Sequence, residues 1–559
     1  MRVLIVGAYG IFGGRLVELL QDDARLTLLV AGRSMARARA FCASLPKAAA
    51  QLVPVLFDRA GSDAEQLRAL KVNLVVDASG PFQEYGAQAY ALVERCIDSG
   101  CHYLDLADGS NFVAGVARFD ARACAAGVYV LSGVSSFPVL TAAVVRRLSS
   151  GMLEPDSILG GIAPSPYAVV GLNVIRAIAS YAGQRTPLRR DGVAAIGHPF
   201  TESRYFVISV PGRIPLARRR FSLVDVPDLR ALPELWPGAK DVWMGAAPVP
   251  APLHRALSIF AWLVRLGLLP TLLWMARLMH SVTNHVRWGE HRGGMFVQVL
   301  GHGPDGQAME RAWHLSAEGD DGPFIPCMAI EALIRKALAG TSPPIGARAG
   351  LRDLELDDYE ALFARRTIYT GVRETGGDAK LPLYQRVLGS AWDSLAPQIR
   401  QLHAVNSVNA YRGVCSVERG RSPMAQVMAW LIGFPKAGAD QAIDVTLTAE
   451  GMGERWVRHT NGSSFSSMQT IGSGAAQWLV RERFGAAFVD MALVPDGENL
   501  RYIVRRWGLL GIALPLWLGP RSTALETVQD GRFNFNVAIH HPLAGFIVSY
   551  AGWLESATA

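Results

Sequence analysis

A chain of 559 residues is longer than one hydrophobic core supports, so roughly two to four domains are expected. Half of the residues are hydrophobic and 18 % are charged, which excludes a disordered chain. A formal charge of +7 suits a phosphate-bearing ligand or an anionic membrane surface, and no zinc-finger spacing, ribonucleoprotein aromatic motif or dense basic run points to nucleic acid.

The first element is a β-branched run, Arg2 to Val6, of the kind buried on both faces of a parallel sheet. It ends in Gly7-Ala8-Tyr9-Gly10-Ile11-Phe12-Gly13-Gly14, a relaxed G-x-x-G-x-x-G turn. Gly7 permits the tight turn, Gly10 lets a pyrophosphate approach the backbone, and Gly13 brings the next helix close to the sheet. That helix starts near Ile11 and is amphipathic through Leu16, Leu19 and Leu20; its positive end and free N–H groups suit phosphates. A second strand, Leu26 to Ala31, completes a dinucleotide-binding unit. It ends in Gly32-Arg33-Ser34, where an NAD-selective site carries an acid. Arg33 can pair with a 2′-phosphate and Ser34 can add a hydrogen bond, so NADP is expected over NAD.

A helix from Met35 to about Leu45 leads to a third strand, Val53 to Asp58, where Asp58 is a candidate adenine contact. The fourth strand, Leu74 to Asp77, opens into Ala78-Ser79-Gly80-Pro81-Phe82, next to the nicotinamide ribose of such a site, and a helix follows from Gly86 to Ser99. Cys101 to Asp105 reads as a fifth strand and Gly127 to Leu131 as a sixth. The alternation argues for a doubly wound parallel Rossmann sheet. Cys42, Cys96, Cys101, Cys124, Cys327 and Cys415 show no C-x-x-C spacing and read as buried thiols of a reducing compartment. A secretory signal would carry the phosphate turn away on cleavage, so a cytoplasmic location is expected.

These motifs resemble the saccharopine dehydrogenase-like oxidoreductases. The resemblance rests on Gly7 to Gly14, Gly32-Arg33, Asp77 to Phe82 with Gly86, and Cys101-His102-Tyr103-Leu104-Asp105. Where that family usually continues into a Gly-Glu pair, this chain has Leu106-Ala107-Asp108-Gly109. The resemblance is strong to about residue 135 and continues in outline to 373. It implies a Rossmann domain, 1–135, followed by an α+β domain, 136–373, whose last helices return to the first.

In that second domain, Val139 to Leu148 reads as a helix entered through Gly133 to Pro138. Strands are expected at Tyr205 to Val210, Phe221 to Val226, Met295 to Leu300 and Arg311 to Ser316, and the helix Pro326 to Ala339 and the segment Leu354 to Thr367 close the domain, as the resemblance implies. The apolar stretch Ala256 to Met279 is interrupted by Arg265, Pro270 and Arg277. Three readings stand: a helical pair packed on its own domain or on a second subunit, a peripheral membrane contact or lid, and a true span.

Glu374 to Asp378 reads as a link, and 379–559 as a β-rich α+β domain. Leu381 to Leu402 is expected to be helical. Alternating segments at Ala442 to Thr448, Glu454 to His459, Phe488 to Val494, Leu500 to Trp507, Arg532 to Ile539 and Phe546 to Trp553 indicate an antiparallel sheet curved around a cavity. This region resembles an uncharacterised C-terminal domain sometimes fused to saccharopine dehydrogenase-like proteins, through Leu383-Tyr384, the Pro515 to Pro520 loop, His541-Pro542-Leu543, Tyr550 and Trp553. His540 and His541 point to opposite faces of a strand and so make no metal site with Glu526. The loop Trp507 to Gly519 is too short to span a bilayer and reads as a core plug or a lip for a lipid-like ligand.

The cofactor-contacting residues expected from these readings are Gly7, Tyr9, Gly10, Ile11, Phe12, Gly13, Arg33, Ser34, Asp58, Ala78, Ser79, Gly80 and Pro81. Proton-transfer candidates are His102, Tyr103, Asp105, Asp108, Ser135 and Ser136, with Tyr103, Asp105 and Asp108 foremost. The Tyr-x-x-x-Lys pair of short-chain dehydrogenases is absent at Tyr103. A zwitterionic diacid such as saccharopine needs clustered basic residues, so an apolar carbonyl, imine or enoyl substrate is expected instead. The rival readings are a non-catalytic NADP-binding scaffold associated with membrane or lipid, and a lipid-binding C-terminal module tethered to a redox domain. A homodimer is compatible with each.

Overall fold

Val3, Leu4, Ile5 and Val6 lose nearly all solvent contact, as an uninterrupted apolar run must when sheet neighbours and helices cover both its faces. They form β1 (Arg2–Val6) in a computed structural model that describes residues 1–61, 63–248, 250–375, 381–460 and 463–557. The chain divides into two compact units: Met1–Phe206 with Arg219–Tyr369, and Val207–Arg218 with Thr370–Ala559. Of the expected link, residues 376–378 lie outside the described residues.

In the first unit, β1 pairs in parallel with β2 (Thr27–Gly32) on one side and, among later strands, with β4 (Leu74–Asp77) on the other. Beyond β2 lies β3 (Gln51–Leu56), and beyond β4 lie β5 (His102–Asp105) and β6 (Tyr129–Ser132). The order 3-2-1-4-5-6 reverses direction between β1 and β4, and ligands bind outside the carboxyl ends of the strands at such a switch point. A seventh parallel strand, Gly346–Ala349, pairs with β6 from far along the chain; its Gly-Ala-Arg-Ala sequence has no β-branched or aromatic residue to mark it as a strand. Of the six cysteines, Cys42 is half-buried and Cys124 exposed, contrary to the expectation, because the short helix Asp120–Ala126 turns Cys124 to solvent.

A second, mixed sheet follows. Pro155–Ala163 pairs in parallel with Asp241–Ala246 and antiparallel with Arg292–His302, which pairs in turn with Ala308–Glu318. The outer strands Ser203–Phe206 and Arg219–Leu223 begin two residues earlier than expected and end sooner; Val207–Arg218, between them, belongs to the second unit. The apolar stretch 256–279 is not one span. Helices Ala251–Arg265 and Ala276–His285 are separated by a break containing Gly267 (φ +75°) and Pro270, and no helix among the described residues is long and apolar enough to cross a membrane. The pair buries Ser258, Ala261, Val264 and Ala276 and leaves Ile259, Trp262, Trp274 and Leu278 exposed.

The second unit is a closed barrel. Ten antiparallel strands run from Val408–Arg419 to Gly545–Ser556, each paired with its neighbour in the ring, and the last pairs with the first through Tyr411 to Arg419. The strands Val408–Arg419, Ser463–Ile471, Val480–Phe484 and Arg521–Gln529 were not read from sequence, and the remaining six match the alternating segments. The expected helix Leu381 to Leu402 is instead Leu383–Leu388 and Pro397–His403, broken at Gly389 (φ +55°) and by Pro397, which has no N–H to continue a helix. These two helices close one end: Ala396 N–H donates to the Glu498 carbonyl in one hairpin turn, and Gln398 donates to Gly531 in another. Helix Pro423–Ile432 lies at the other end, tied by Ser422 Oγ donating to the Ala544 carbonyl. Inward-facing alternate residues enclose a cavity of about 530 Å³, as closed barrels of this size do. The loop Trp507 to Gly519 is a lip and not a plug: Ile512–Leu514 pairs back on its own strand, and Leu510 and Trp517 face solvent.

Candidate functional site

Gly7 sits at φ +79°, and a Cβ there would meet the Ala78 carbonyl at 3.0 Å, so only glycine fits between the ends of β1 and β4. Gly7 and Ala8 N–H groups donate to the Ala31 carbonyl, and Gly10 N–H to that of Gly7. At Gly13 a Cβ would overlap the Gly7 carbonyl, which fixes how closely α1 (Ile11–Leu20) approaches the sheet. Gly10 caps α1 with extended backbone and no side chain, and the first turn of α1 carries no acid. The leading N–H groups of a helix have no intrahelical partner. A glycine-capped helix start without carboxylates fits a diphosphate, which the N–H groups of Ile11, Phe12 and Gly13 would hold while Gly10 allows close approach.

At the end of β2, Tyr9 lies across Gly32, where any Cβ would collide with its phenol, and Tyr9 Oη accepts from Ser34 N–H at 3.0 Å. The Arg37 guanidinium lies 4.7 Å from the Tyr9 ring centre, a cation that sequence reasoning missed. Arg33 is exposed beside it. Ser34 Oγ caps helix Met35–Ala43 by accepting from Arg37 N–H, which leaves its O–H to donate. Asp58 accepts from Ala60 N–H and so shapes its own loop at the end of β3.

Under the loop after β4 lies a buried network. Asp77 accepts from Arg59 Nε at 2.8 Å, from Ser79 N–H at 3.1 Å and from Ser79 Oγ at 2.5 Å. Ser79 Oγ also meets Tyr85 Oη at 2.8 Å, and the Arg59 guanidinium stacks 3.5 Å from the Tyr85 ring centre. Burial, reinforced by Asp77, pushes the Tyr85 phenol up beyond its ordinary range. Ala78, Ser79, Gly80 and Pro81 therefore sit on a rigid base supplied by Arg59, Asp77 and Tyr85. From the other side, Asn173 Nδ2 donates to the Gly80 carbonyl at 2.8 Å and to that of Ser79 at 3.2 Å. Its neighbour Gly171 lies against the Ile11 side chain.

Asp108 is the foremost proton-transfer candidate that borders this crevice. It accepts from Gln83 Nε2 at 3.0 Å, just past Pro81 and Phe82. Burial raises its carboxyl, and Asp225, also raised by burial, adds to the effect. Tyr181 is raised well above the phenol range by burial and then by both acids. Asp225 accepts from Ser110 Oγ at 2.7 Å. Asp225 and Tyr181 come from distant segments with no motif around them, which is why sequence gave no signal for either. Asp105 and Tyr103 have no exposed surface. Asp105 Oδ1 accepts from Gly133 N–H at 2.7 Å, Ala107 N–H at 3.0 Å and Ser132 Oγ at 3.0 Å, so it clamps the loops after β5 and β6. His102 stacks on Tyr129 at the opposite end of β5, and Ser136 is buried beneath helix Thr141–Leu148.

A switch-point crevice with a glycine cradle defines the dinucleotide-binding Rossmann domains of the NAD(P)-dependent oxidoreductases. Within that class, residues 3–131 match the family described as saccharopine dehydrogenase NADP binding domain, and residues 395–554 match a domain of unknown function, DUF4166. The N-terminal domain is thus of the saccharopine dehydrogenase type, joined to that second domain. No curated protein matches the chain. Among similar solved structures, apo saccharopine dehydrogenase (L-Glu forming) from Saccharomyces cerevisiae is 13% identical, with a TM-score of 0.48 over 67% of this chain and 100% of that one. The WlbA (WbpB) dehydrogenase from Thermus thermophilus, in complex with NAD and alpha-ketoglutarate, is 15% identical, with a TM-score of 0.29 over 66% of this chain and 93% of that one. Biliverdin reductase from Synechocystis sp. PCC 6803, in complex with biliverdin and NADP+, is 13% identical, with a TM-score of 0.28 over 64% and 94%.

Proposed function

We propose that the chain is an NADP-dependent oxidoreductase acting on an apolar carbonyl, imine or enoyl compound. The observation that carries the reading is the pairing of an acid-free glycine cradle with Arg33 and Arg37 at the end of β2. The nicotinamide would supply the hydride; the protein's part is to orient the acceptor and handle the proton. Asp108 is the proton donor of this reading, its carboxyl raised by burial and further by Asp225, with Gln83 fixing its orientation. Arg59, Asp77 and Tyr85 hold the loop on which the reacting ring would rest.

Fluorescence titration with NADPH and NADH tests the cofactor, and NADPH oxidation against a panel of long-chain aldehydes, imines and enoyl esters tests the chemistry. Arg33→Asp is expected to weaken NADPH by about tenfold or more while leaving NADH nearly unchanged. Equal weakening of both refutes the NADP preference. Tight NADPH binding with no turnover on any acceptor favours the rival reading of a non-catalytic scaffold.

The exposed face of helices Ala251–Arg265 and Ala276–His285 supports a contact with either a second subunit or a membrane surface. Ile259, Trp262 and Leu278 are exposed there, with Trp274 just before the second helix, and residues 251–289 contain no Asp or Glu.

A further inference from the structure

The barrel has an interior and a rim that the redox reading does not use. Its two ends differ in chemistry. The end closed by helices Leu383–Leu388 and Pro397–His403 has turns rich in acids, including Glu450, Asp496, Glu498 and Asp530. Antiparallel register places a different set of connections at the other end: helix Pro423–Ile432, the turn Phe484 to Ala487, the loop Leu509 to Pro520 and the turn His541 to Gly545.

On that rim Trp430 is 75 % exposed, Trp517 71 % and Leu510 82 %, with Leu431, Ile512 and Leu543 also facing solvent. Such a concentration of large apolar side chains on loop tips is what a surface avoids unless something covers it. Cations interleave with them: Arg421, Lys436, Arg483 and Arg521 are exposed. Residues 420–437, 505–523 and 540–546 contain no acid, and the exposed carboxylates Glu418 and Asp440 stand on the two strands that helix Pro423–Ile432 connects. Tryptophan and leucine tips among unopposed basic residues match the two layers of an anionic bilayer, headgroup charge and then acyl chain.

Behind the rim lies the cavity of about 530 Å³, within the usual range for small-molecule sites. Leu431, Phe434 and Leu509 belong both to its lining and to the rim connections, so it reaches this end of the barrel. Its inner charges are already matched. Arg458 faces Glu482 at 3.4 Å, and Glu526 meets His403 Nε2 at 2.7 Å and accepts from Tyr502 Oη at 2.8 Å. An acidic lipid would add an unbalanced charge there, whereas a neutral one adds none.

We propose that this rim seats on an anionic lipid bilayer and that the barrel takes up one neutral single-chain lipid through it. The full chain should co-float with vesicles of mixed phosphatidylcholine and phosphatidylserine, with little uptake on pure phosphatidylcholine and release by high salt. The double variant Trp430→Glu with Trp517→Glu should partition about tenfold more weakly or less, with an unchanged circular dichroism spectrum. All-trans-retinol, a fluorescent neutral lipid, should bind wild type and this variant alike. Ala524→Phe, or Val504→Phe if the first fails to fold, should displace retinol while keeping vesicle binding. The proposal is overturned if wild type floats on neither vesicle or on both equally, if retinol does not bind, or if light scattering shows the rim tryptophans holding two copies of the chain together without vesicle uptake.

Discussion

Asp105 and Asp108 stand three residues apart, and their surroundings give them different work. Asp105 is sealed, and burial holds its carboxyl up at about 7 despite three donors to Oδ1. In the unfolded chain an aspartate releases its proton near an ordinary value of about 3.9. Between those two points the folded state binds more protons, so the contribution of Asp105 to stability falls as pH rises through that window and stays low above it. Asp228, also buried and raised to about 7, acts in the same direction. Urea melts of Asp105→Asn at about pH 5 and about pH 8 should show a smaller loss of stability on raising the pH than wild type does. Asp108 borders the crevice instead. In the proposed role of general acid it should make turnover decline as pH rises through its elevated pKa. Asp108→Asn should lower kcat about a hundredfold or more and remove that limb from the pH–rate profile, with NADPH affinity retained.

At the scale of elements, the glycine turn and its strands were readable because each residue type answers a local need: no Cβ at Gly7, apolar side chains on both faces of β1, an amphipathic stripe along α1. The strand Val408–Arg419 was not, although it closes the barrel. Gly413 interrupts its pattern, and the reason is visible only across the ladder, where a Cβ would drive into the Trp553 carbonyl. Gly413→Ala should therefore cost about 1–3 kcal/mol of stability in the second unit, measurable as a lowered denaturation midpoint, whereas Gly451→Ala in an open hairpin turn meets no neighbouring atom. There the cost is limited to its left-handed backbone (φ +60°). The helical stretch Ala256 to Met279 was ambiguous for another reason. Composition marks it as apolar, but Gly267 and Pro270 decide that it is two helices, and only packing decides which side of each is covered.

Over the whole chain, sequence pattern carried the fold class well and the assembly of sites only in part. The expected cofactor contacts lie on short local motifs at the ends of β1 to β4, and each could be proposed from its own segment. The surroundings of Asp108 could not, because Asp225 and Tyr181 reach it from segments separated from it by dozens of residues and by a change of sheet. The same long-range closure appears at the edge of the nucleotide-binding sheet, where Gly346–Ala349 lies beside β6. That placement has a consequence for biosynthesis. A ribosome delivers residues in order, so β6 must wait with an open flank until more than two hundred further residues have emerged. During that interval the nascent sheet offers unsatisfied amides and carbonyls to any passing strand. A truncation ending at residue 135 would make that temporary exposure permanent.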